Sequence, residues 1–110
     1  MPRQARLDAP GTLHHVMVRG IEGRDIFLDD QDREEFVKRL STVVMESGTK
    51  LVAWSLMTNH VHLLLFSGVE GISRMMRRLL TGYAVVFNRR HKRNGTWVLA
   101  MYLSTIKCSE

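Results

Sequence analysis

The segment from His60 to Phe66 constrains the fold most, because it sets two histidines in an otherwise apolar run of strand length. Its sequence, His-Val-His-Leu-Leu-Leu-Phe, is apolar at both odd and even positions, which is typical of a central strand. Side chains two residues apart on a strand share one face, so His60 and His62 project side by side. The run therefore predicts an inner strand that presents two imidazoles from one face of its sheet.

Two neighbouring imidazoles admit two interpretations. Histidine is the commonest metal ligand, and a second imidazole at i+2 is close enough for both rings to bind one divalent ion. Histidines also lie at strand ends as hydrogen-bonded polar residues of the core, and the spacing alone does not separate these alternatives. The hypothesis carried forward is a metal ion held by His60 and His62 that activates a phosphate.

Length and composition indicate one domain with a real core. The chain has 110 residues, of which 45% are hydrophobic. No apolar run approaches the ~20 residues of a transmembrane helix, and the first residues lack the apolar segment of a secretory signal. The single cysteine, Cys108, excludes an internal disulfide and fits a reducing compartment. We therefore expect a cytoplasmic protein with no membrane segment.

Charge is distributed unevenly along the chain. The formal net charge is +5 and the sequence pI is about 10.0. From residue 71 onward there are eight Lys or Arg and one acid, whereas residues 22–46 hold eight of the eleven acids. This asymmetry favours one basic surface that contacts a polyanion such as nucleic acid. The alternative is a basic helix that is merely exposed to solvent.

Periodicity and turn signals predict the order β-α-β-β-α-β within a single domain of residues 1–110, with a loosely ordered arm over residues 1–11. This order is that of an α+β, ferredoxin-like fold, with a mainly antiparallel sheet and two helices on one face. The other face would be open to a nucleic-acid strand. The predicted strands cover residues 12–19, 50–57, 60–66 and 96–106, and the predicted helices cover about 29–47 and 72–90.

Apolar stripes at helical spacing identify the residues that should face the core. The stripe of the first helix is Phe36, Leu40, Val43 and Val44, and that of the second is Ile72, Met76, Leu80, Tyr83 and Phe87. Trp54 and Trp97 fall in predicted strands, where tryptophan is usually a core residue. Exposed tryptophans would instead offer surfaces on which single-stranded bases stack.

Four segments together carry a family pattern. They are Gly11-x-x-His14-His15-Val16-x-x-Arg19-Gly20, Ile26-Phe27-x-Asp29-Asp30-x-Asp32-Arg33, Leu56-Met57-Thr58-Asn59-His60-Val61-His62-Leu63-Leu64 and Phe87-Asn88-Arg89-Arg90-His91. In this order and spacing they resemble the REP-associated tyrosine transposases, which are single-tyrosine HUH transposases of the insertion-sequence 200-like type. The resemblance extends from the first residues to about Cys108, and it implies a ferredoxin-like fold.

The resemblance implies metal-dependent nicking and rejoining of single-stranded DNA, often beside a hairpin. In such enzymes the residues that correspond to His60 and His62 bind Mg²⁺ or Mn²⁺. The metal polarises the scissile phosphate, and a tyrosine attacks it to leave a 5′-phosphotyrosine and a free 3′-OH. Two imidazoles bind hard Mg²⁺ poorly, so such a site needs further oxygen ligands in addition to the substrate.

The resemblance also implies a nucleophilic tyrosine on a helix after the fourth strand, with an Asn or Gln one turn later. This sequence ends near the point where that helix begins in relatives, so we expect a chain truncated before its nucleophile. Of the two tyrosines present, Tyr83 is the candidate catalytic residue, although its position in an apolar stripe favours packing. Tyr102, on a predicted strand, is a weaker candidate because a strand residue cannot easily swing between positions.

The candidate DNA contacts are basic. Arg19, at the end of the first strand, is a phosphate contact or an ordinary surface residue. Either His14 or His15 should share a sheet face with the histidine pair, and Asn59 either makes the turn or orients a ligand. The remaining DNA-binding candidates are Arg74, Arg77, Arg78, Arg89, Arg90, Lys92 and Arg93.

Three functions remain open at the level of sequence. The first is an enzyme of DNA transposition, a nickase and strand transferase of single-stranded DNA. The second is a catalytically inactive remnant that binds DNA hairpins, and the third is an interaction domain with no nucleic-acid role. Absence of an edge-covering helix would also expose apolar surface, which predicts a homodimer through an exposed sheet edge.

Overall fold

Two helices cover one face of a four-stranded sheet in the computed structural model, which describes residues 11–91 and the backbone of residues 101–107. A single turn of 3₁₀ helix over Ile21–Gly23 follows the first strand, within the predicted loop. The main elements are β1 (Leu13–Gly20), α1 (Asp30–Ser47), β2 (Lys50–Leu56), β3 (His60–Phe66), α2 (Ile72–Arg90) and β4 (Met101–Lys107).

The sheet has the order β2-β3-β1-β4, and every neighbouring pair of strands is antiparallel. β1 and β3 form the centre, and β2 and β4 form the edges. This is the predicted α+β ferredoxin-like arrangement, so the fold prediction is confirmed. In the central pair Met17 lies opposite His62 and Arg19 lies opposite His60.

Asp29 and Gly48 set the ends of α1. Asp29 has extended backbone and accepts a hydrogen bond from the backbone N–H of Asp32 at 2.9 Å, so it is the N-cap. Gly48 follows the last helical residue with φ of +75°, a left-handed conformation that costs glycine little. Both ends therefore lie where the sequence signals predict them.

Gly20 lets the chain after β1 approach itself closely. A Cβ on Gly20 would lie 2.0 Å from the carbonyl oxygen of Arg24, so no side chain fits there. The backbone N–H of Gly20 donates to the carbonyl oxygen of Asn59 at 3.0 Å. This bond holds the end of β1 against the turn between β2 and β3, and it fixes Arg19 beside His60.

The core lies between the helices and one face of the sheet, and β1 and β3 each contribute alternate residues to it. Leu79 is fully buried in this core, because it is in line with Tyr83 and Phe87 at intervals of four, and the predicted Leu80 packs partly buried against the same core. The buried core consists of Val16, Val18, Ile26, Phe27, Phe36, Leu40, Val43, Val61, Leu63, Leu65, Ile72, Met75, Met76, Leu79, Tyr83 and Phe87.

Several sequence predictions fall outside the described residues. These are the arm over residues 1–10, the first part of the predicted fourth strand, Lys92, Arg93, Trp97, Cys108 and the side chain of Tyr102. Trp54, in contrast, is described, and its side chain is more than half exposed on the edge strand β2. Neither helix in the described part of the chain is long and apolar enough to cross a membrane.

Candidate metal and nucleic-acid site

Three histidines meet on the sheet face opposite the helices. His60 and His62 project from β3, and their ring centroids are 5.0 Å apart with the ring planes at 84°. His15 projects from β1, and its ring lies edge to edge with that of His62, with the centroids 5.1 Å apart and the ring planes at 25°. All three side chains are half-buried, whereas His14 is fully buried on the helix side. The structure thus places the predicted pair together on one face and adds His15 to it.

Hydrogen bonds orient the two rings on β3. His60 Nδ1 lies 2.9 Å from Asn59 Oδ1, and an amide oxygen only accepts, so Nδ1 carries the hydrogen and Nε2 keeps its lone pair. His62 Nδ1 lies 2.9 Å from His15 Nε2, and donation by His62 likewise leaves its Nε2 as a ligand atom. Histidines that bind metals commonly donate their second ring N–H in this way.

The protonation state of His62 suits a ligand. Partial burial lowers the pKa of His62. The neighbouring His15 and His60 lower it further, because positive charges on adjacent imidazole rings repel one another. The neutral imidazole is the form that binds a metal ion. The donor set therefore fits a divalent cation with two ring nitrogens, and the remaining positions are left to oxygen ligands.

A cleft of about 630 Å³ opens beside the pair. His60, His62 and Arg19 all line it. Its other lining residues are Met17, Gly20, Glu22, Gly23 and Asn59. The cleft therefore combines two imidazoles with a guanidinium, which is a donor set suited to a phosphate bound through a metal ion and through Arg19.

The family model described as "Transposase IS200 like" matches residues 11–106. The chain belongs to the IS200-like transposase family. The match includes β1, both helices, both histidines of the pair and nearly all of β4. Membership confirms the family resemblance read from the sequence and indicates a role in DNA transposition. Comparison with curated protein sequences found no match.

Solved transposase structures share the fold. A candidate transposase from Deinococcus radiodurans R1 superposes with a TM-score of 0.68 at 18% identity, over 93% of this chain and 82% of that one. The REP-associated tyrosine transposase bound to a REP hairpin superposes with a TM-score of 0.66 at 15% identity, over 99% of this chain and 64% of that one. At these identities the comparison establishes the fold, and this chain spans less than two thirds of the second protein.

Tyr83, the candidate nucleophile, lies in the core of this transposase domain. Its side chain is fully buried against Phe27, Phe36 and Phe87, and its hydroxyl donates to the carbonyl oxygen of Ile26 at 2.5 Å. Burial raises the pKa of Tyr83 far above its usual value, and the charge of a nearby aspartate adds to this. Tyr83 lies on the side of the sheet opposite the histidines, so the structure favours its packing role and separates it from the candidate metal site.

The predicted DNA-binding arginines divide between the two sides of the sheet. Arg19 lies on the histidine face, opposite His60 in the central strand pair. The other described candidates lie on α2, whose apolar stripe packs on the helix side of the sheet. The structure therefore does not unite the predicted basic residues and the histidine pair on one surface.

Acidic residues already engage some of the basic side chains of α2. Arg78 is paired with Glu46 of α1 and, at 3.3 Å, with Glu70, and the bond to Glu46 raises the pKa of Arg78. Arg74 Nε lies 3.3 Å from a carboxylate oxygen of Glu70. These two arginines therefore link α2 to the preceding loop and to α1.

Two other arginines of α2 are less constrained. Arg77 and Arg89 are exposed, and within residues 11–91 neither forms an ion pair with a carboxylate. They are the residues of this helix best placed to accept a phosphate. Lys92 and Arg93 follow them beyond the first described segment.

A second cluster of possible ligands joins the two helices. Asp29, Asp32 and His91 bring one ligand atom each to within 4.8 Å of one another. Arg90 contacts both carboxylates, and His91 Nε2 lies 3.0 and 2.9 Å from the two oxygens of Asp32. The Asp32 carboxylate also accepts from the backbone N–H of Leu28 at 2.8 Å. The existing partners satisfy this buried carboxylate, so the cluster is an ion-pair network that fastens the end of α2 to the start of α1.

The sequence motifs that form this network are adjacent only in the folded chain, so the network could not be recognised from either motif alone. Acids at the start of α1 and the Arg-Arg-His run at the end of α2 occupy ends of two helices that lie side by side. Opposite charge at those two ends was the available signal. Arg90, predicted as a DNA contact, is held here by Asp29 and Asp32.

Proposed function

We propose that this domain nicks and transfers single-stranded DNA during transposition, in the cytoplasm, with Mg²⁺ or Mn²⁺ held by His60 and His62. The observation that supports the proposal is the cleft in which these two imidazoles lie side by side with Arg19. Family membership supports a role in DNA transposition, and the geometry of the cleft is the reason for choosing these residues.

Each residue of the cleft has a distinct task. His60 and His62 offer Nε2 atoms to the cation, and the hydrogen bond from His60 Nδ1 to Asn59 holds the first ring in place. A bound divalent ion would stabilise the charge that develops on the scissile phosphate. Arg19 donates N–H groups to the same or the adjacent phosphate and holds the strand in register.

The proposal assigns the attacking hydroxyl to no residue whose side chain is described. Tyr83 is enclosed in the core and hydrogen-bonded to Ile26. The family resemblance puts the nucleophile on a helix that follows the fourth strand, and the proposal keeps it there. A tyrosine supplied from that position would meet a phosphate already bound and polarised at the histidine face.

A second function is a DNA-binding module without nicking activity. The burial of Tyr83 favours this function. The described side chains then include candidate phosphate contacts, but they include no accessible tyrosine that could act as the nucleophile. In this function Arg19 binds DNA from the histidine face, and Arg77 and Arg89 bind it from α2. Arg74, Arg78 and Arg90 have carboxylate partners and first serve the fold. Hairpin DNA is the substrate that would reach both surfaces.

We also infer that two copies of the domain associate through an exposed sheet edge. β2 is an edge strand, and the Val52 and Trp54 side chains on it are 50% and 54% exposed. An edge strand presents unpaired backbone groups to which a second copy can add its own strand. Light scattering at tens of micromolar should give the mass of a dimer, and a monomeric mass would contradict the inference.

One experiment separates the enzyme from the module. Labelled single-stranded DNA is incubated with the protein and Mn²⁺, boiled in detergent and run on a denaturing gel. A protein–DNA band that resists boiling supports nicking through a covalent intermediate, whereas reversible binding without a band supports the module.

The matched variants are H62A and H91A. H62A should lose Mn²⁺ binding and any covalent band, whereas H91A removes an imidazole from the helix side and should retain both. Equal Mn²⁺ affinity of H62A and the unmodified protein in a calorimetric titration would overturn the metal assignment, whichever form of DNA binding is seen.

A further inference from the structure

An apolar depression lies on the histidine face next to the cleft. It has a volume of about 340 Å³ and is lined by His15, Ala53, Ser55, His62 and Leu64, with contributions from Trp54 and Leu63. Ala53 and Ser55 on β2 have small side chains, which leave the depression open. The larger side chains of His62, Leu64 and His15 border it on β3 and β1. Its size is within the range of small-molecule sites, roughly 300–1,000 Å³.

His62 borders both the depression and the cleft. Its ring lies edge to edge with that of His15 and at 25° to it, so the two imidazoles give the depression one nearly flat wall. The cleft on the other side contains Arg19 and His60. A ligand with an anionic group in the cleft could therefore extend a flat apolar group into the depression without leaving the sheet face.

We propose that this depression receives one unpaired nucleobase of the DNA strand whose phosphate lies at His60 and His62. The proposal rests on the function proposed above and extends it from the phosphate to the adjoining base. A nucleobase is flat, aromatic and linked to a phosphodiester, which is the combination that the two adjacent sites require. Stacking on side chains is the usual way in which proteins hold single-stranded bases.

Two consequences follow from the lining. It is almost entirely apolar, so it reads no hydrogen-bonding edge and should accept every base with little preference. A base within a duplex is stacked and paired, and it reaches such a site only after it has left its neighbours. The depression would therefore select single-stranded over double-stranded DNA at the bound phosphate.

The first test needs only the unmodified protein. Its affinity for an octathymidylate in Mn²⁺ is compared with that for an abasic octamer of deoxyribose phosphates, which has the same charge and no bases. The octathymidylate should bind about tenfold more tightly, the effect of one stacked base. Equal binding of the two octamers would overturn the proposal.

The second test fills the depression. A53W should reduce the preference for octathymidylate to about twofold or less, because the indole occupies the place of the base. V69W adds the same side chain at an exposed position that does not line the depression and should keep the tenfold preference. A preference unchanged in A53W, or lost equally in V69W, would contradict the assignment.

Mn²⁺ titration without DNA separates this proposal from the metal assignment. If the protein binds Mn²⁺ through His62 but does not distinguish the two octamers, the metal site is supported and the base site is overturned. If it distinguishes the octamers but H62A binds Mn²⁺ normally, the metal assignment fails and the base site remains supported. Circular dichroism of A53W checks that its fold is intact.

Discussion

The two faces of β3 differ in what completes them. Val61 and Leu63 point to the helix side, where they are fully buried under α1 and α2. His60, His62 and Leu64 point to the other side, where no helix of the described chain covers them and they stay half-buried. The same strand thus contributes to a buried core on one side and to a partly exposed surface with imidazoles on the other. Burial sets stability on the first face, and accessible donor atoms are the basis of the function proposed for the second.

Positive charge also differs between the two faces. On the helix face Arg78 and Arg90 are bound by acids of α1, so much of the basic charge that suggests nucleic-acid binding in the sequence holds the helices together. On the histidine face Arg19 lies in a cleft with two ligand-type histidines. Because ion pairs occupy part of the basic charge of α2, the number of basic residues in the sequence does not by itself identify a nucleic-acid surface.

Of the predicted changes, the largest is a loss of stability that should differ between two adjacent residues of β3. L63A should lower the free energy of unfolding by about 3 kcal/mol, because it leaves a cavity in the core. L64A, on the half-buried histidine face, should lower it by only about 1 kcal/mol. Urea unfolding of the two variants measures both values. Equal losses would mean that the histidine face is covered in solution, contrary to its description as an open surface.

Tyr83 tests whether the helix face has any part in chemistry. Y83F removes the hydroxyl that donates to Ile26 and leaves that buried carbonyl unsatisfied, at a cost of about 1–3 kcal/mol in the free energy of unfolding. Mn²⁺ affinity and any covalent DNA band should be unchanged, because the hydroxyl lies on the other side of the sheet. Loss of the band in a folded Y83F protein would restore Tyr83 as the nucleophile.

Variants of Arg19 and Arg77 test whether the two basic surfaces contact DNA separately. With a tetranucleotide, R19A should reduce the slope of log affinity against log salt by about 0.7, the value for one phosphate contact on a single strand. R77A should leave the tetranucleotide unaffected and reduce the slope only with a longer hairpin, because the two residues lie on opposite sides of the sheet. An equal effect of both variants on the tetranucleotide would place both residues on one DNA path.

The sequence predicts the fold well because the signals that determine it are local. The aspartate and glycine at the ends of α1, the short turn before His60 and the alternation along β1 each specify their own element, and their order allows few topologies. The histidine pair is predictable for the same reason, since two residues on one strand must share a face. A fixed backbone geometry connects those residues, whatever the rest of the chain does.

Partners from distant parts of the chain could not be predicted in this way. His15 joins the pair only because β1 and β3 are adjacent in a register that the sequence does not state. Asp32 is bound by Arg90 and His91, 58 and 59 residues away, because the ends of the two helices lie together. The sequence likewise does not state that the arginines of α2 and the histidine pair lie on opposite sides of the sheet, because only the layering of helices over the sheet separates them.

The pH dependence of stability tests the ion-pair network, and the change expected here is the smallest. The hydrogen bond from Arg90, together with the backbone bond from Asp32, lowers the pKa of Asp29 below 3.8. Because the pKa is lower in the folded state, this carboxylate stabilises the fold fully above about pH 3.8, and the contribution is lost as the pH falls through the folded-state pKa.

D29N keeps an amide that can still cap α1 and removes only the charge. The urea midpoints of D29N and the unmodified protein should therefore differ by a constant amount from pH 7 to pH 5 and converge below pH 3.8, and R90Q should show the same convergence. Equal midpoints of D29N and the unmodified protein at every pH would mean that the charge of Asp29 contributes nothing and that Asp29 acts through capping, so that the helix ends are held together by Asp32 and His91 instead.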